Sequence, residues 1–190
     1  RQLSGDLARR HRLVRAVGFD RLAGIRLSSY EFRHSLFHHY FYDTLDPVER
    51  GMLHEDAAMT LEKLFAADPA PVAIKLARHF NEASLDNRAV EDLLLAGREA
   101  LRVYANAEAG SHLYAALHTL EQVESNASLP ADEIEKLRQD ICRSLGDVLV
   151  LDGEFRLARE FYEQALASPG PDRRLEAVEL LCRIATTHER

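Results

Sequence analysis

A set of small residues recurs at one spacing through the second half of the chain, and that spacing constrains the fold more than any other feature. Gly97 is followed twelve residues later by Ala109, then by Leu113 and Ala116. Gly146 is likewise followed twelve residues later by Ala158, then by Tyr162 and Ala165, with Pro169 and Pro171 close behind. The flanking apolar residues recur at three and four, the period of one helix face. In the second set Asp152-Gly153-Glu154-Phe155 supplies a turn between two helices. An earlier, less regular set runs through Leu76-Ala77, Phe80 and Ala89, and Leu181, Ile184 and Ala185 fit the first helix of a further one.

These features resemble the tetratricopeptide repeat, in which small residues let paired helices approach closely and a large residue fills the gap between them. The interval from Gly97 to Gly146 exceeds the usual 34 or so residues of that repeat. The surplus falls between Glu124 and Asp132.

Upstream, the pattern is mixed. Leu3, Leu7, His11 and Val14 fit a helical spacing with Arg9, Arg10, Arg12 and Arg15 mostly on the other side, so an amphipathic helix ending at Gly18 is expected. From Phe19 to Phe32, Gly24 interrupts an alternation of Ile25, Leu27, Tyr30 and Phe32 that predicts a hairpin or wing. The periodicity then changes: Tyr30, Phe32 and His34 fall at every second position, whereas Leu36, Phe37, Tyr40, Phe41, Thr44 and Leu45 follow a helix. His34 therefore stands at a strand-to-helix junction, where the first helical N–H groups have no internal partner and favour anions, phosphate included. A second helix starts at Asp46-Pro47-Val48-Glu49, with an N-cap Asp and a Pro whose missing N–H is harmless at the first helical position. It ends at the break Ala66-Ala67-Asp68-Pro69-Ala70-Pro71.

Phe32-Arg33-His34-Ser35-Leu36, followed by Tyr42, Arg50, Leu53-His54, Ala58 and Leu61-Glu62, resembles the end of the winged helix in bacterial signal-transduction ATPases with numerous domains. In those proteins a P-loop ATPase precedes a winged helix and then helical repeats, in large transcriptional regulators and cyclase-linked ATPases. The resemblance implies that His34, with Arg33 beside it, senses the β-phosphate of ADP bound to an upstream domain. It also implies that the helical repeats hold a protein partner or small inducer.

No GxxxxGK[ST], HExxH, GxSxG or calcium-loop pattern is present, so the chain itself is expected to be neither an enzyme nor the holder of a cofactor, with ATP or ADP bound upstream of Arg1. His34 and His38 are four apart with His39 adjacent, but no Cys is near and no third ligand follows at a recurring interval, so a metal site is not expected and the aromatics around them read as packing. His54 and His79 read as half-buried, and Tyr104, Tyr114 and Tyr162 as packing between helices. Arg50 reads as exposed, while Arg33 reads equally as exposed or as a partner for acids of the ATPase domain.

Net charge is −7, but residues 1–33 hold eight arginines against Asp6, Asp20 and Glu31. A basic head suits phosphate, nucleic acid or an acidic domain, and the acidic remainder does not suit nucleic acid. Any contact with duplex DNA is therefore left to another domain or, failing that, to the arginine-rich first helix. No apolar run approaches the roughly 20 residues of a membrane helix. Cys142 and Cys182 lie in apolar helical patterns and read as buried reduced thiols of a cytoplasmic protein.

The expectation is a mainly α chain in two parts. Residues 1–68 form the end of a winged helix with a short β hairpin. Residues 69–190 form an α-α superhelix of tetratricopeptide-like repeats, the last one truncated. Its expected role is to couple a nucleotide state to partner or inducer binding. The alternatives are a stand-alone helical adaptor and a winged-helix DNA-binding module.

Overall fold

The computed structural model describes residues 7–8, 11–22, 25–166 and 182–185. Leu3, Arg9, Arg10, Gly24, Pro169, Pro171 and Leu181 lie outside the described residues. The chain is mainly helical with one short antiparallel hairpin, and it divides into two compact units, residues 1–69 and 70–190.

In the first unit, β1 (Val14–Leu22) pairs antiparallel with β2 (Ile25–Phe32). The register runs Val14↔Phe32, Arg15↔Glu31 and Ala16↔Tyr30, then slips at a bulge before Gly18↔Ser29. The hairpin thus begins earlier than the sequence pattern indicates, and Val14 to Gly18 are strand, not the end of a helix. Arg12 has a positive φ of 50° and Leu13 donates to the carbonyl of Leu7 at 2.9 Å, both incompatible with a continuing α-helix. Beyond that break, β-branched Val14 and Val17 and the aromatic Phe19 suit a strand that has a partner.

After the hairpin come α1 (Ser35–Thr44) and α2 (Pro47–Leu64). The Asp46 side chain accepts from the Val48 N–H at 2.9 Å, Pro47 occupies the first turn and Glu49 places a negative charge at the positive end of the dipole. In this unit burial is sparse. Among the described residues Val14 and Ala58 are its buried apolar ones, and α1 buries none.

The second unit opens with a 3-10 turn at Ala70–Val72, then α3 (Ala73–Glu82), α4 (Asp86–Arg102), α5 (Asn106–Ser125), α6 (Ala131–Leu151) and α7 (Phe155–Leu166). Each helix packs on the next, and α4 also reaches α6. Three of the connections are one turn repeated. Ser84, Tyr104 and Gly153 take left-handed φ values of 57°, 59° and 79°. The following residue donates back across each turn: Leu85 to Phe80 at 2.8 Å, Ala105 to Ala100 at 2.9 Å, Glu154 to Leu149 at 2.8 Å. Ser84, Tyr104 and Gly153 themselves donate to Asn81, Leu101 and Val150. This pair of bonds is the Schellman helix stop. The carbonyl of the residue that closes each turn accepts the first bond of the next helix, from Ala89, Ala109 or Ala158. A fourth Schellman stop, with Ala127 at φ 49°, ends α5 before the longer connection to α6.

Around the three short turns the side chains repeat in step. Ala77, Gly97 and Gly146 precede the turn, and Ala89, Ala109 and Ala158 follow it with no exposure at all. Leu93, Leu113 and Tyr162 occupy the next equivalent position, then Ala96, Ala116 and Ala165. A methyl group on Gly97 would lie 2.6 Å from Leu113 Cγ, and one on Gly146 would overlap the ring of Tyr162. Only a residue without Cβ admits the neighbouring helix at that distance. Helix α4 belongs to two of these hairpins, as second helix to α3 and first helix to α5.

The main core runs through α4, α5 and α6, from Val90 and Leu94 through Leu113 and Leu120 to Ile141 and Leu145. Cys142, Leu149, Ala158, Tyr162 and Ala165 form a second cluster, against which Ile184 packs. Helix α6 thus carries apolar residues to both sides. Polar ties join successive hairpins: Arg98 on α4 lies 3.6 Å from Asp140 and 3.4 Å from Ser144 Oγ on α6. Asn106 at the start of α5 donates to Asp152 in the last turn at 3.0 Å. Among the described residues, no helix is long and apolar enough to cross a membrane.

Candidate functional site

The junction singled out by the change of periodicity is built by two backbone bonds. Strand β2 ends at Phe32, and the Arg33 N–H donates to the Leu13 carbonyl at 2.9 Å, which holds the mouth of the hairpin shut. His34 is still extended, at φ −133° and ψ 133°, and its carbonyl accepts from the Phe37 N–H at 3.1 Å, the first bond associated with α1. Its side chain makes no capping bond. The imidazole instead meets the ring of Phe37 edge-on, with centroids 6.0 Å apart, and both Arg33 and His34 are exposed. So a histidine that caps its own helix is not what the geometry provides. What it provides is an uncapped helix start flanked by an arginine and an imidazole.

Behind the junction an aromatic and imidazole network joins α1 to α2. Phe32 stacks on Phe41 at 6.2 Å and meets His38 edge-on at 5.5 Å. His38 stacks on Tyr42 at 6.0 Å, and the Tyr42 hydroxyl lies 2.9 Å from His54 Nε2. Arg50 is not simply exposed: its guanidinium lies over the Tyr42 ring at 5.0 Å, a cation–π contact. His39 Nδ1 donates to the Ser35 carbonyl at 2.9 Å. Among the described residues, no group of three or more His, Cys, Asp or Glu side chains is placed to hold a metal.

Of the four arginines expected on a basic first helix, Arg15 lies on β1 and pairs across the strands with Glu31, and Arg12 sits in the bend before it. A helical basic face made of these residues is therefore not formed at Arg12 and Arg15.

The helical unit offers polar surface between turns. A groove of about 450 Å³ is lined by Arg78, Asn81, Glu82, Ser84, Asp86 and Gln122, and a second of about 290 Å³ shares Asp86 and Gln122 with it. Near the other end, a cavity of about 280 Å³ lies beside Asp147, whose carboxylate accepts from the Tyr162 hydroxyl at 2.8 Å and from Arg183. Burial pushes the Tyr162 phenol up to about 12 and the Cys142 thiol up to about 11. The three tyrosines part company: Tyr162 is buried, Tyr114 meets Phe161 edge-on at 6.1 Å, and Tyr104 is 81% exposed at the tip of its turn. Tyr104 is thus not a packing residue, because the left-handed turn projects it away from both helices. Cys182 is exposed, unlike buried Cys142, since Ile184 is the neighbour that packs on the core.

The fold and these surfaces define a helical-hairpin protein preceded by a β hairpin, with an open strand-to-helix junction in its first unit. No protein-family model, curated protein or solved structure matches the chain.

Proposed function

We propose that the chain is the regulatory and protein-binding segment of a nucleotide-switched signalling ATPase, acting in transcriptional regulation or signal transduction in the cytoplasm. In this reading ATP or ADP binds an upstream ATPase domain, and this chain catalyses nothing itself. His34 and Arg33 report the ADP state, and the helical hairpins, tetratricopeptide-like in their small-residue spacing, hold a partner or inducer. The observation that carries the reading is the order of parts: a hairpin running straight into an uncapped helix at exposed Arg33 and His34, followed by hairpins in one register. Open N–H groups, an imidazole and a guanidinium suit a phosphate oxygen. Mechanistically the element is a two-state switch, and any ligand that prefers one packing shifts the population by its differential affinity.

The test uses the protein carrying its ATPase domain. His34→Ala is expected to shorten ADP retention and raise basal output, with Arg33→Ala acting in the same direction. Unchanged ADP release in both variants would remove the sensing role. The stand-alone adaptor is the second reading, favoured by the polar grooves at Asp86 and Gln122, which need no nucleotide to recognise a peptide. It predicts partner binding indifferent to ADP and ATP.

A further inference from the structure

Two departures from the repeat register face one another across α6 and α7. The residue after the small one that precedes each short turn is Arg78, then Arg98, then Asp147, and the position filled by Leu93 and Leu113 becomes Tyr162. The Tyr162 hydroxyl donates to Asp147 Oδ1 at 2.8 Å, and Arg183, on the helical turn at residues 182–185, donates to the same oxygen. The other oxygen, Oδ2, therefore has no hydrogen-bond donor among the described residues. Beside it lies the cavity of about 280 Å³, lined by Asp147, Val150 and Leu151 at helical spacing on α6, by Tyr162 on α7 and by Arg183. The Asp147 side chain is 31% exposed, so its second oxygen opens into this space and not into the core.

We infer that this cavity binds a small uncharged aromatic molecule that carries an O–H or N–H donor, such as a phenol, with the donor on Asp147 Oδ2. Size, walls and charge select that chemistry. The volume stands at the low end of the roughly 300–1,000 Å³ of ligand pockets, room for a single ring and a short substituent. Val150, Leu151 and the ring of Tyr162 give apolar walls on which such a ring can lie. The charges are already balanced: Arg183 neutralises Asp147, and the next acid and base on the same face, Asp140 and Arg143, pair at 3.4 Å. An ammonium ligand would be pressed against Arg183, and a carboxylate ligand against Oδ2. An uncharged donor meets neither repulsion, and its hydrogen bond to an ionised acceptor is of the stronger kind.

As the seat of an inducer this site rests on the proposed function, whereas binding itself does not. The assay holds no ADP or ATP, so its failure removes the pocket and leaves the nucleotide coupling to be judged by His34→Ala. Ligand-observed NMR titration of the full chain compares p-ethylphenol with its isomer p-methylanisole, which has no donor, and with phenethylamine, a cation of the same size at neutral pH. The phenol is expected to bind with a Kd on the order of 0.1–1 mM, the range open to so small a ligand. The anisole should bind at least about tenfold more weakly, the share of one hydrogen bond to a charged acceptor.

Asp147→Asn keeps an oxygen for Tyr162 and Arg183 but turns an amide N–H₂ into the cavity, and should bring the phenol down to the level of the anisole. Leu151→Trp, at a half-exposed position, fills the cavity without entering the core and should weaken both ligands about tenfold. Equal binding of phenol and anisole to the unaltered chain overturns the inference. So does tighter binding of phenethylamine, phenol binding unchanged by Leu151→Trp, or no binding of the phenol at about 10 mM.

Discussion

Gly146→Ala tests whether the small-residue spacing is a packing requirement. The added methyl would lie 2.5 Å from Cδ1 and 2.7 Å from Cζ of Tyr162, and closer still to Cε1. The ring cannot swing aside cheaply, because it is 2% exposed and its hydroxyl donates to Asp147 at 2.8 Å. Forcing a methyl into a filled core costs about 1–3 kcal/mol. Losing a hydrogen bond to a carboxylate adds about 1.5–3 kcal/mol. The helix regains about 1 kcal/mol when Gly becomes Ala. The net expectation is a loss of about 1.5–5 kcal/mol.

Gly110→Ala is the matched control in the neighbouring hairpin. There the methyl meets Val148 Cγ1 at 3.7 Å, ordinary contact, so the helix propensity gain of up to about 1 kcal/mol is kept. Urea unfolding followed by circular dichroism should therefore move the two midpoints in opposite directions at an unchanged m-value. Pairing Gly146→Ala with Tyr162→Leu should recover part of the loss, since the equivalent pair in the first hairpin is Ala77 with Leu93. If Gly146→Ala proves as stable as Gly110→Ala, the close approach of α6 and α7 is not what the glycine serves.

The turn geometry and the buried acids allow two further measurements. Tyr104→Gly should stabilise by about 1 kcal/mol, because a non-glycine residue in the left-handed region costs roughly that much, and Gly153→Ala should destabilise by a similar amount; equal thermal midpoints in both variants would refute the assignment. Cys142 and Tyr162 have pKa values raised from 9 and 10 to about 11 and about 12, so the folded state holds their protons more tightly than the unfolded state. Stability is then fully present below pH 9 and falls as pH rises from 9 to 12, and Tyr162→Phe should flatten the upper part of that fall. At neutral pH iodoacetamide should label Cys182 and spare Cys142, and double labelling of the native protein would contradict the burial of Cys142.

Local chemistry was legible in the sequence and non-local pairing was not. The Asp46 cap and the Gly153 turn need only their own neighbours to form, and both stand where the residues place them. Ser84 and Tyr104 form the same turn without glycine, so composition conceals them and only the buried alanines in step with them reveal the repeat. Strand β1 is hidden because Val14 fits both periods, and its pairing with Ile25–Phe32, outside any local window, decides between them. For the junction, the switch of period placed His34 correctly at the helix start. Its edge-on contact with Phe37, and the stacking of Arg50 on Tyr42, depend on rotamers that no spacing encodes. The Asp147 link was traceable in principle, since a tyrosine at a buried leucine-equivalent position brings a hydroxyl that must find a partner.

Because α4 is shared by two hairpins, it acts as a ruler between them. Ala89 and Ala96 belong to the register set by α3, Gly97 to the register set by α5. One residue added between Ala96 and Gly97 would turn the second set by about 100° relative to the first, carrying Gly97 away from Leu113 and a larger side chain into its place. The connection between α5 and α6 has no such duty, and length changes there shift hairpins without rotating a shared helix. Tolerance to insertion should therefore be concentrated between Asn126 and Pro130 and absent from the middle of α4, a map of permissive sites drawn by helical phase and not by exposure.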